Sequence, residues 1–297
     1  MCDLRLGGEG APAIAIGASG IRWGGVDFSE IRAMYIRGLA PNTPQTLPAL
    51  RNACDDAHWR LEFIREQGYQ ATVFGFFDYL SAMGKLVVNP PTLGYPDHDA
   101  KGQFYERLRA HGFCVPVSLV TNDPESAREF LDRFPDAVVK PAIGVGSTRV
   151  ITARDRERLN EVRVTPVLLQ ERIAGSTVRV HVVGGRVVLA LRILSEGGVD
   201  SRTGKKSFEF LALSAEEEER ISRATRCMGL HFAAWDVIEA PDGRMVLLDC
   251  NPGPYVMWIG EAFVQVVFRQ LAIFLVTFAR SGSLTEACAQ VVPWHPS

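Results

Sequence analysis

The chain contains 297 residues, with 32 lysines and arginines against 34 aspartates and glutamates, and its formal net charge is −2. This length accommodates two domains, and the balanced charge argues against an obligate nucleic-acid partner. The six cysteines show no C-x-x-C and no metal-type spacing, which favours a reduced cytoplasmic chain over a disulfide framework.

We expect no export signal in the N-terminal residues, because charges and glycines interrupt "MCDLRLGGEGAPAIAIGASG" where a signal peptide would be apolar. Only residues 262–280 approach the length of a membrane span. Gln265, Arg269 and Gln270 give this segment a polar side, and an arginine in mid-bilayer is costly. We therefore predict a buried amphipathic helix here, no membrane partner and a cytoplasmic protein.

Residues 1–98 have the pattern of an α/β unit. A strand is predicted within 11–20, a second within 33–38, and a helix over 47–68 that ends at its last glycine. "KLVVNPP" predicts a further strand that its prolines end, and the loop 89–102 marks the boundary of the unit.

The remaining residues alternate helices with strands and then continue as antiparallel hairpins. Helices are predicted from Lys101 to His111 and from Pro124, with Asp123 as the cap of the second. The Gly-Gly pair at 184–185 predicts a hairpin turn between two valine-rich strands. The predicted fold class is therefore α/β followed by mixed α+β.

The stretch "VVKPAIGVGSTRV" joins a buried-looking strand to a glycine-rich loop. Lys140 ends the strand, and the loop holds Gly144, Gly146 and Ser147. Glycines let backbone amides approach phosphate oxygens, and a lysine beside them adds a point charge. The pattern is neither a Walker loop nor a dinucleotide fingerprint, so an ordinary turn is the alternative.

Polar side chains also stand in or at the ends of apolar strands. Gln170 and Glu171 end one strand, where polar groups are well placed to read an adenine edge. Arg179 lies within a strand of valines, and Arg192 ends the next strand. The alternatives are a surface Gln-Glu pair and two solvated or salt-bridged arginines.

Two apolar runs flank an Asp-Gly turn signal in "AAWDVIEAPDGRMVLLDCNPGP" and predict a β-hairpin. A two-residue turn at 242–243 sets Asp236 directly opposite Asp249, and Asn251 then shares a face with Asp249. Two facing carboxylates destabilise a strand pair unless a cation lies between them. The all-oxygen set suits Mg²⁺, which would be completed by water and nucleotide phosphates.

Two alternatives stay open for this hairpin. In one, Asp249 and Asn251 only shape a turn before Pro252, while Asp236 forms a salt bridge with an arginine. In the other, a three-residue Pro-Asp-Gly loop slips the pairing by one and puts the aspartates on opposite faces.

Taken in order, these segments resemble the ATP-grasp superfamily, in particular the ligases similar to the ribosomal-protein glutamate ligases (RimK-like). The resemblance rests on "NPP…K", "VVKPAIGVGS", "LLQERIAGSTVRVHVVGG", "LALR" and "AAWDVIEAPDGRMVLLDCNPGP", over about 89–254. It implies an ATP-grasp fold at 99–297, with a smaller lid subdomain at about 112–172 and a larger C-terminal subdomain at about 173–297. Residues 1–98 are similar to the family's N-terminal α/β (pre-ATP-grasp) domain.

The resemblance also implies a set of site residues. The residues expected around ATP are Lys101 and Lys140 on the phosphates, Gly144, Gly146 and Ser147 in a mobile loop over them, and Gln170, Glu171 and Ile173 in the adenine pocket. The expected magnesium ligands are Asp236, Asp249 and Asn251. The arginines expected near the transferred phosphoryl group and the carboxylate substrate are Arg179, Arg192 and Arg202.

Two positions depart from the family pattern. Thr177 stands where the family usually has an acidic residue that is expected to bind the ribose hydroxyls. Asp249 stands where the second magnesium ligand is usually glutamate, which is one methylene longer.

The function that the resemblance implies is that of an ATP-dependent carboxylate–amine ligase. The carboxylate of an amino acid or peptide would form an acylphosphate, and an amine would displace phosphate to leave an amide, with ADP as the other product. The expected cofactors are ATP and one or two Mg²⁺ ions, with Mn²⁺ as a substitute, and the chain is expected to be a homo-oligomer. The alternatives are a small-molecule kinase and a nucleotide-binding regulator without catalysis.

Overall fold

The structure is a computed structural model that describes residues 13–17, 20–37, 56–91, 100–142, 148–195 and 206–296. The strands are β1 (Ile14–Gly17), β2 (Gly20–Trp23), β3 (Val26–Asp27), β4 (Ala33–Tyr35), β5 (Leu86–Val88), β6 (Ser118–Thr121), β7 (Val138–Pro141), β8 (Arg149–Val150), β9 (Val167–Gln170), β10 (Ser176–Val183), β11 (Arg186–Ser195), β12 (Lys206–Phe210), β13 (Phe232–Glu239) and β14 (Met245–Asn251). The helices are α1 (Asp56–Ala82), α2 (Lys101–Ala110), α3 (Pro124–Arg133), α4 (Ala153–Glu157), α5 (Ala215–Cys227), α6 (Glu261–Ser281) and α7 (Leu284–Gln290), with short 3-10 helices at Leu159–Val164 and Met257–Ile259.

The N-terminal part contains the antiparallel sheet β1-β2-β3, the parallel pair β4-β5 and the helix α1. The prediction that a helix ends at Gly68 is wrong, because α1 continues to Ala82. Phe76 and Leu80, in the second half of α1, are fully buried, and the Phe76 ring lies 5.3 Å from the ring of Trp23. This tertiary packing outweighs the cost of about 1 kcal/mol that a glycine adds inside a helix.

Asn89 ties the N-terminal part to the rest of the chain. Its side chain is buried, and its Nδ2 donates to the carbonyls of Phe232 (2.6 Å) and Pro252 (2.5 Å). Its Oδ1 accepts from the backbone N–H of His231 at 2.9 Å. One buried amide therefore holds both the start of β13 and the loop that follows β14, so the two strands of this hairpin keep a fixed position.

The smaller of the two main sheets has the order β6-β9-β7-β8, with all neighbours antiparallel. The predicted cap is confirmed, because the Asp123 carboxylate accepts from Ser126 N–H at 2.9 Å at the start of α3. Leu131 of α3 packs with Leu169 on one face of this sheet. Leu168 points the other way and joins the core of the larger sheet.

The larger sheet has the order β12-β11-β10-β13-β14 and is also antiparallel. Val178 and Trp235 lie on the face that packs against α2 and α5, which we call the α5 face. Leu191 and Phe232 lie on the opposite face with α6, which we call the α6 face. Residues that pair directly across two strands point to the same face of the sheet. Arg179 pairs with Leu191, so it also lies on the α6 face.

Within the described residues, α6 is the one helix that is long and apolar enough by composition to cross a membrane. Here Val267 and Phe274 pack it against the large sheet. Gln270 is also buried, and its Oε1 accepts from Val292 N–H at 3.1 Å. The predicted amphipathic helix is therefore confirmed, with Gln265 and Arg269 on its exposed side, but the prediction that Gln270 lies on that polar side is wrong.

His181 is completely buried on the α6 face of β10, two residues beyond Arg179. Neither ring nitrogen has a hydrogen-bond partner among the described residues. Burial, and to a smaller extent the Arg179 charge, hold the pKa of His181 well below its usual value. His181 is thus neutral in the folded state, whereas the unfolded chain binds a proton below the ordinary histidine pKa of 6.5.

We expect the free energy of unfolding to fall as pH drops below 6.5, because only the unfolded state then takes up the proton. For each buried histidine that stays neutral in the folded state, the free energy of unfolding falls by up to about 1.4 kcal/mol per pH unit. His181→Leu should reduce this slope when urea midpoints are compared at pH 5.5 and 7.5. His111→Gln, at an exposed position, is the control, and an unchanged slope in His181→Leu would contradict the assignment.

Candidate active site

The β13–β14 hairpin does not have the predicted two-residue turn. Gly243 N–H donates to Ala240 O at 2.9 Å, and Ala240 N–H donates to Arg244 O at 2.9 Å, so the loop comprises the three residues 241–243. Pro241 suits the second position of such a turn, and Gly243 adopts a φ of 82°, which favours glycine. The turn chemistry of Pro-Asp-Gly therefore favours the longer loop.

A β-bulge restores the pairing of the two aspartates. Val237 pairs with Leu247, whereas Asp236 pairs with Asp249, so the register shifts by one residue between them. Leu248 is the extra residue of the bulge. The predicted juxtaposition of Asp236 and Asp249 is confirmed, although the turn expected to produce it is wrong.

Each aspartate has a positive partner of its own. Arg179 Nη1 contacts Asp236 Oδ1 at 2.6 Å, and Lys101 Nζ contacts Asp249 Oδ1. Arg179 is 6% exposed and Lys101 is 5% exposed, whereas both carboxylates are about one third exposed. A buried cation needs a negative charge nearby. The alternative in which Asp236 forms a salt bridge with an arginine is therefore confirmed, and Lys101 forms a similar salt bridge with Asp249.

Asn251 completes the predicted oxygen set. It pairs with Ala234 in β13 and lies two residues beyond Asp249, so the two side chains share a face. Its Oδ1 accepts from Gly253 N–H at 3.0 Å, which also shapes the turn after β14. Two partly exposed carboxylates and an amide oxygen are the donors that a hard cation such as Mg²⁺ prefers, and therefore these residues fit a magnesium ion.

Lys140 and Gln170 lie together on the smaller sheet. Lys140 pairs with Leu168, and Gln170 follows two residues later, so all three side chains share the face that meets the large sheet. Lys140 Nζ donates to Gln170 Oε1 at 2.8 Å, and Gln170 Nε2 donates to Ser118 Oγ at 2.9 Å. Gln170 is 1% exposed, so its side chain orients Lys140 from within the core.

The other residues of the predicted nucleotide pocket lie along the chain after β9. Glu171 Oε2 accepts from Val117 N–H at 3.1 Å, and Glu171 N–H donates to Val117 O at 2.9 Å. Ile173 is half-buried in the segment that leads to β10. Thr177 is half-buried, and it shares the α6 face with Arg179 two residues later.

Arg192 does not join Arg179. Its register partner is Val178, on the α5 face, and it pairs with Glu239 at 2.6 Å between Nη2 and Oε2. Ile193, the next residue, occupies the α6 face instead. The two arginines, which we expected near the transferred phosphoryl group and the carboxylate substrate, therefore lie on opposite faces of the sheet, because strand alternation separates them. The role of Arg192 stays a prediction.

Four predicted residues lie outside the described part of the chain. They are Gly144, Gly146, Ser147 and Arg202. Their roles in a loop over the phosphates and near the substrate remain predictions.

Sequence reasoning missed Tyr105. This residue is 1% exposed, and its hydroxyl donates to the backbone carbonyl of Leu248 at 2.6 Å. A polar aromatic residue one helical turn after Lys101 is the signal that could have identified it, because the two share a face of α2.

Trp258 was also missed. Its ring lies 5.8 Å from Arg179 Cζ and 4.8 Å from Lys206 Nζ, and Phe208 meets it edge-on at 5.2 Å. The indole thus packs beside two cations on the α6 face and supports the Arg179 side chain through cation–π contact.

Cys250 lies behind the aspartates and is 2% exposed. Burial, followed by the neighbouring Asp249 charge, raises the pKa of its thiol well above its usual value. A thiol that stays protonated is a poor nucleophile, so Cys250 is not a candidate nucleophile.

Comparison with known proteins identifies the fold. Residues 99–261 match the family described as the RimK-like ATP-grasp domain. The tetrahydromethanopterin:alpha-L-glutamate ligase of Methanocaldococcus jannaschii is 27% identical over 222 residues, which cover 69% of this chain and 74% of the relative. A probable alpha-L-glutamate ligase of Pasteurella multocida is 29% identical over 167 residues, which cover 52% of this chain and 53% of that relative.

A solved structure of the ATP-grasp ligase PsnB, complexed with minimal precursor, Mg and ADP, has a similar fold. It matches with a TM-score of 0.71 and 27% identity, covering 84% of this chain and 79% of PsnB. The family match spans more than half of the chain and contains Lys101, Lys140 and the β13–β14 hairpin. The protein therefore belongs to the RimK-like ATP-grasp family and is a ligase with the predicted ATP-grasp fold.

Proposed function

We propose that the protein forms an amide between a substrate carboxylate and an amine through an acylphosphate, with ADP and phosphate as the other products. The observation that carries the proposal is the cluster on the α6 face, where Asp236 and Asp249 stand opposite each other beside Arg179. Phosphoryl transfer depends on positioning and on stabilising charge, and this cluster supplies both acidic metal ligands and a buried cation.

The proposed reaction has two steps. A carboxylate oxygen attacks the γ-phosphorus of ATP, and the bond to the β-phosphate oxygen breaks to release ADP. The amine nitrogen then attacks the carbonyl carbon, phosphate leaves, and the nitrogen loses a proton. A magnesium ion held by Asp236, Asp249 and Asn251 would supply neutralisation of phosphate charge.

The chain's own residues orient the reacting groups. Arg179 carries five N–H donors; Nη1 is bonded to Asp236, and Nε has no hydrogen-bond partner among the described residues. We assign it to the oxygens of the transferred phosphoryl group. Lys140, held by Gln170, is assigned to the phosphates of ATP.

The proposed substrates are an amino acid or a peptide. The matched relatives are named as glutamate ligases, and the PsnB structure contains a minimal precursor. These names support a carboxylate substrate of this class for the present chain. We further propose that the protein acts in the cytoplasm as a homo-oligomer.

The function is tested by phosphate release from ATP and Mg²⁺ in the presence of pooled amino acids and peptides. We expect release that requires a carboxylate substrate, because the carboxylate is the phosphoryl acceptor. Hydroxylamine added to the reaction should trap the acylphosphate as a hydroxamate.

Other products would contradict the proposal. A phosphorylated hydroxyl compound without hydroxamate would indicate a kinase on the same nucleotide site. Tight Mg–ATP binding without turnover in any pool would favour a regulatory protein, and no binding of ATP would reject the site.

A further inference from the structure

The β-bulge at Leu248 decides where the second aspartate points. Near the turn, Val237 pairs with Leu247, and the same register continued along the hairpin would pair Asp236 with Leu248. Asp249 would then project to the opposite face, because a one-residue slip inverts every side chain. The extra residue therefore brings the two carboxylates to one face, and whatever holds the bulge controls the geometry of the metal ligands.

Tyr105 holds this bulge from α2. Its hydroxyl donates to Leu248 O at 2.6 Å, on the residue that the bulge inserts. Lys101 lies one helical turn earlier and contacts Asp249, so one face of α2 binds two consecutive residues of β14. The Tyr105 ring packs edge-on against Phe104 with the centroids 5.1 Å apart, which leaves the hydroxyl little freedom.

The same hydroxyl reaches the smaller sheet. The Gln170 side chain lies close enough to this hydroxyl to influence its pKa, and it accepts a hydrogen bond from Lys140 Nζ at 2.8 Å. Burial, followed by the charge of Asp249, raises the pKa of Tyr105 above its usual value, so the hydroxyl remains a protonated donor at neutral pH. Tyr105 thus lies between the Lys140–Gln170 pair of the smaller sheet and the bulge of the larger sheet.

We propose that Tyr105 is a positioning residue that couples Lys140 to the metal-binding hairpin, so that Asp236 and Asp249 face the ATP phosphates together. This inference rests on the proposed function of the site. A buried hydrogen bond that fixes β14 beside the Lys140–Gln170 pair positions the hairpin before the nucleotide binds, which lowers the cost of ordering the site on binding.

The test is the Mg²⁺ dependence of ADP binding, measured by calorimetry on the full chain. Tyr105→Phe keeps the ring and removes only the hydroxyl. Loss of one buried hydrogen bond should raise the Mg²⁺ concentration for half-maximal binding by about two- to tenfold. Hydrogen exchange of the β14 amides should increase in the same variant.

The matched control is Thr225→Val, which removes another buried hydroxyl of the α5 face. Thr225 Oγ1 accepts from Trp235 Nε1 at 2.8 Å, and the Trp235 side chain lies on the face of the sheet opposite to that of Asp236. We expect this variant to lose thermal stability but to keep the wild-type Mg²⁺ dependence.

The outcomes separate the two proposals. Failure of the wild-type protein to bind Mg–ADP would reject the nucleotide site itself, whatever the variants do. If the wild type binds but Tyr105→Phe and Thr225→Val have the same Mg²⁺ dependence, the positioning role alone is rejected. A Tyr105→Phe chain that does not fold would also reject it, because the hydroxyl would then be a requirement of the core.

Discussion

Asp249→Asn is expected to reduce carboxylate-dependent phosphate release from ATP by about a hundredfold or more. The substitution keeps the size of the side chain and removes one of the two facing negative charges that fit a magnesium ion. It also leaves the 5% exposed Lys101 without its ion-pair partner, so thermal denaturation must show that the variant is folded. Phosphate release at saturating Mg²⁺ then measures the catalytic loss.

Asp242→Asn is the matched control for this prediction. Asp242 lies in the three-residue loop of the same hairpin, is exposed, and pairs with Arg244 at 2.6 Å. It has no contact with the facing aspartates, so activity should stay close to that of the wild type. Full activity in Asp249→Asn would exclude Asp249 from metal binding.

Arg179→Met is expected to lower turnover by about a hundredfold to a thousandfold, while Arg192→Met is expected to have a much smaller effect. Both arginines form an ion pair of 2.6 Å, with Asp236 and Glu239 respectively. The two ion pairs lie on opposite faces of the sheet, and only Arg179 shares the face of Asp236 and Asp249.

The comparison of these two variants tests whether Arg192 has the role that the resemblance implies. The resemblance assigns both arginines to the phosphoryl group, whereas strand alternation assigns only Arg179. Arg179→Lys should recover part of the lost turnover, since it retains the charge but not the planar donor set. Equal losses of kcat in Arg179→Met and Arg192→Met, measured with folded proteins, would contradict the structural assignment.

Much of the fold was predictable because its signals are local. The strand that contains Lys140, the strand end at Gln170, the cap at Asp123 and the apolar helix at 262–280 depend on residue types at short spacings, which act through neighbouring residues. The helix α1 was the exception. Its end depends on contacts between Phe76 and Trp23, which are far apart in sequence, rather than on the local preference of Gly68.

The resemblance to the family, the order of the elements and the residue types of the site can all be read from the sequence, because motif order and side-chain chemistry need no coordinates. The geometry of the site depends on tertiary contacts. The Pro-Asp-Gly loop slips the hairpin by one residue, and the bulge at Leu248 corrects it, so the pairing of Asp236 with Asp249 depends on two compensating features. Strand pairing likewise sets the face on which Arg192 lies. The contact of Tyr105 with Leu248 depends on the docking of α2 against β14, which joins residues more than a hundred positions apart.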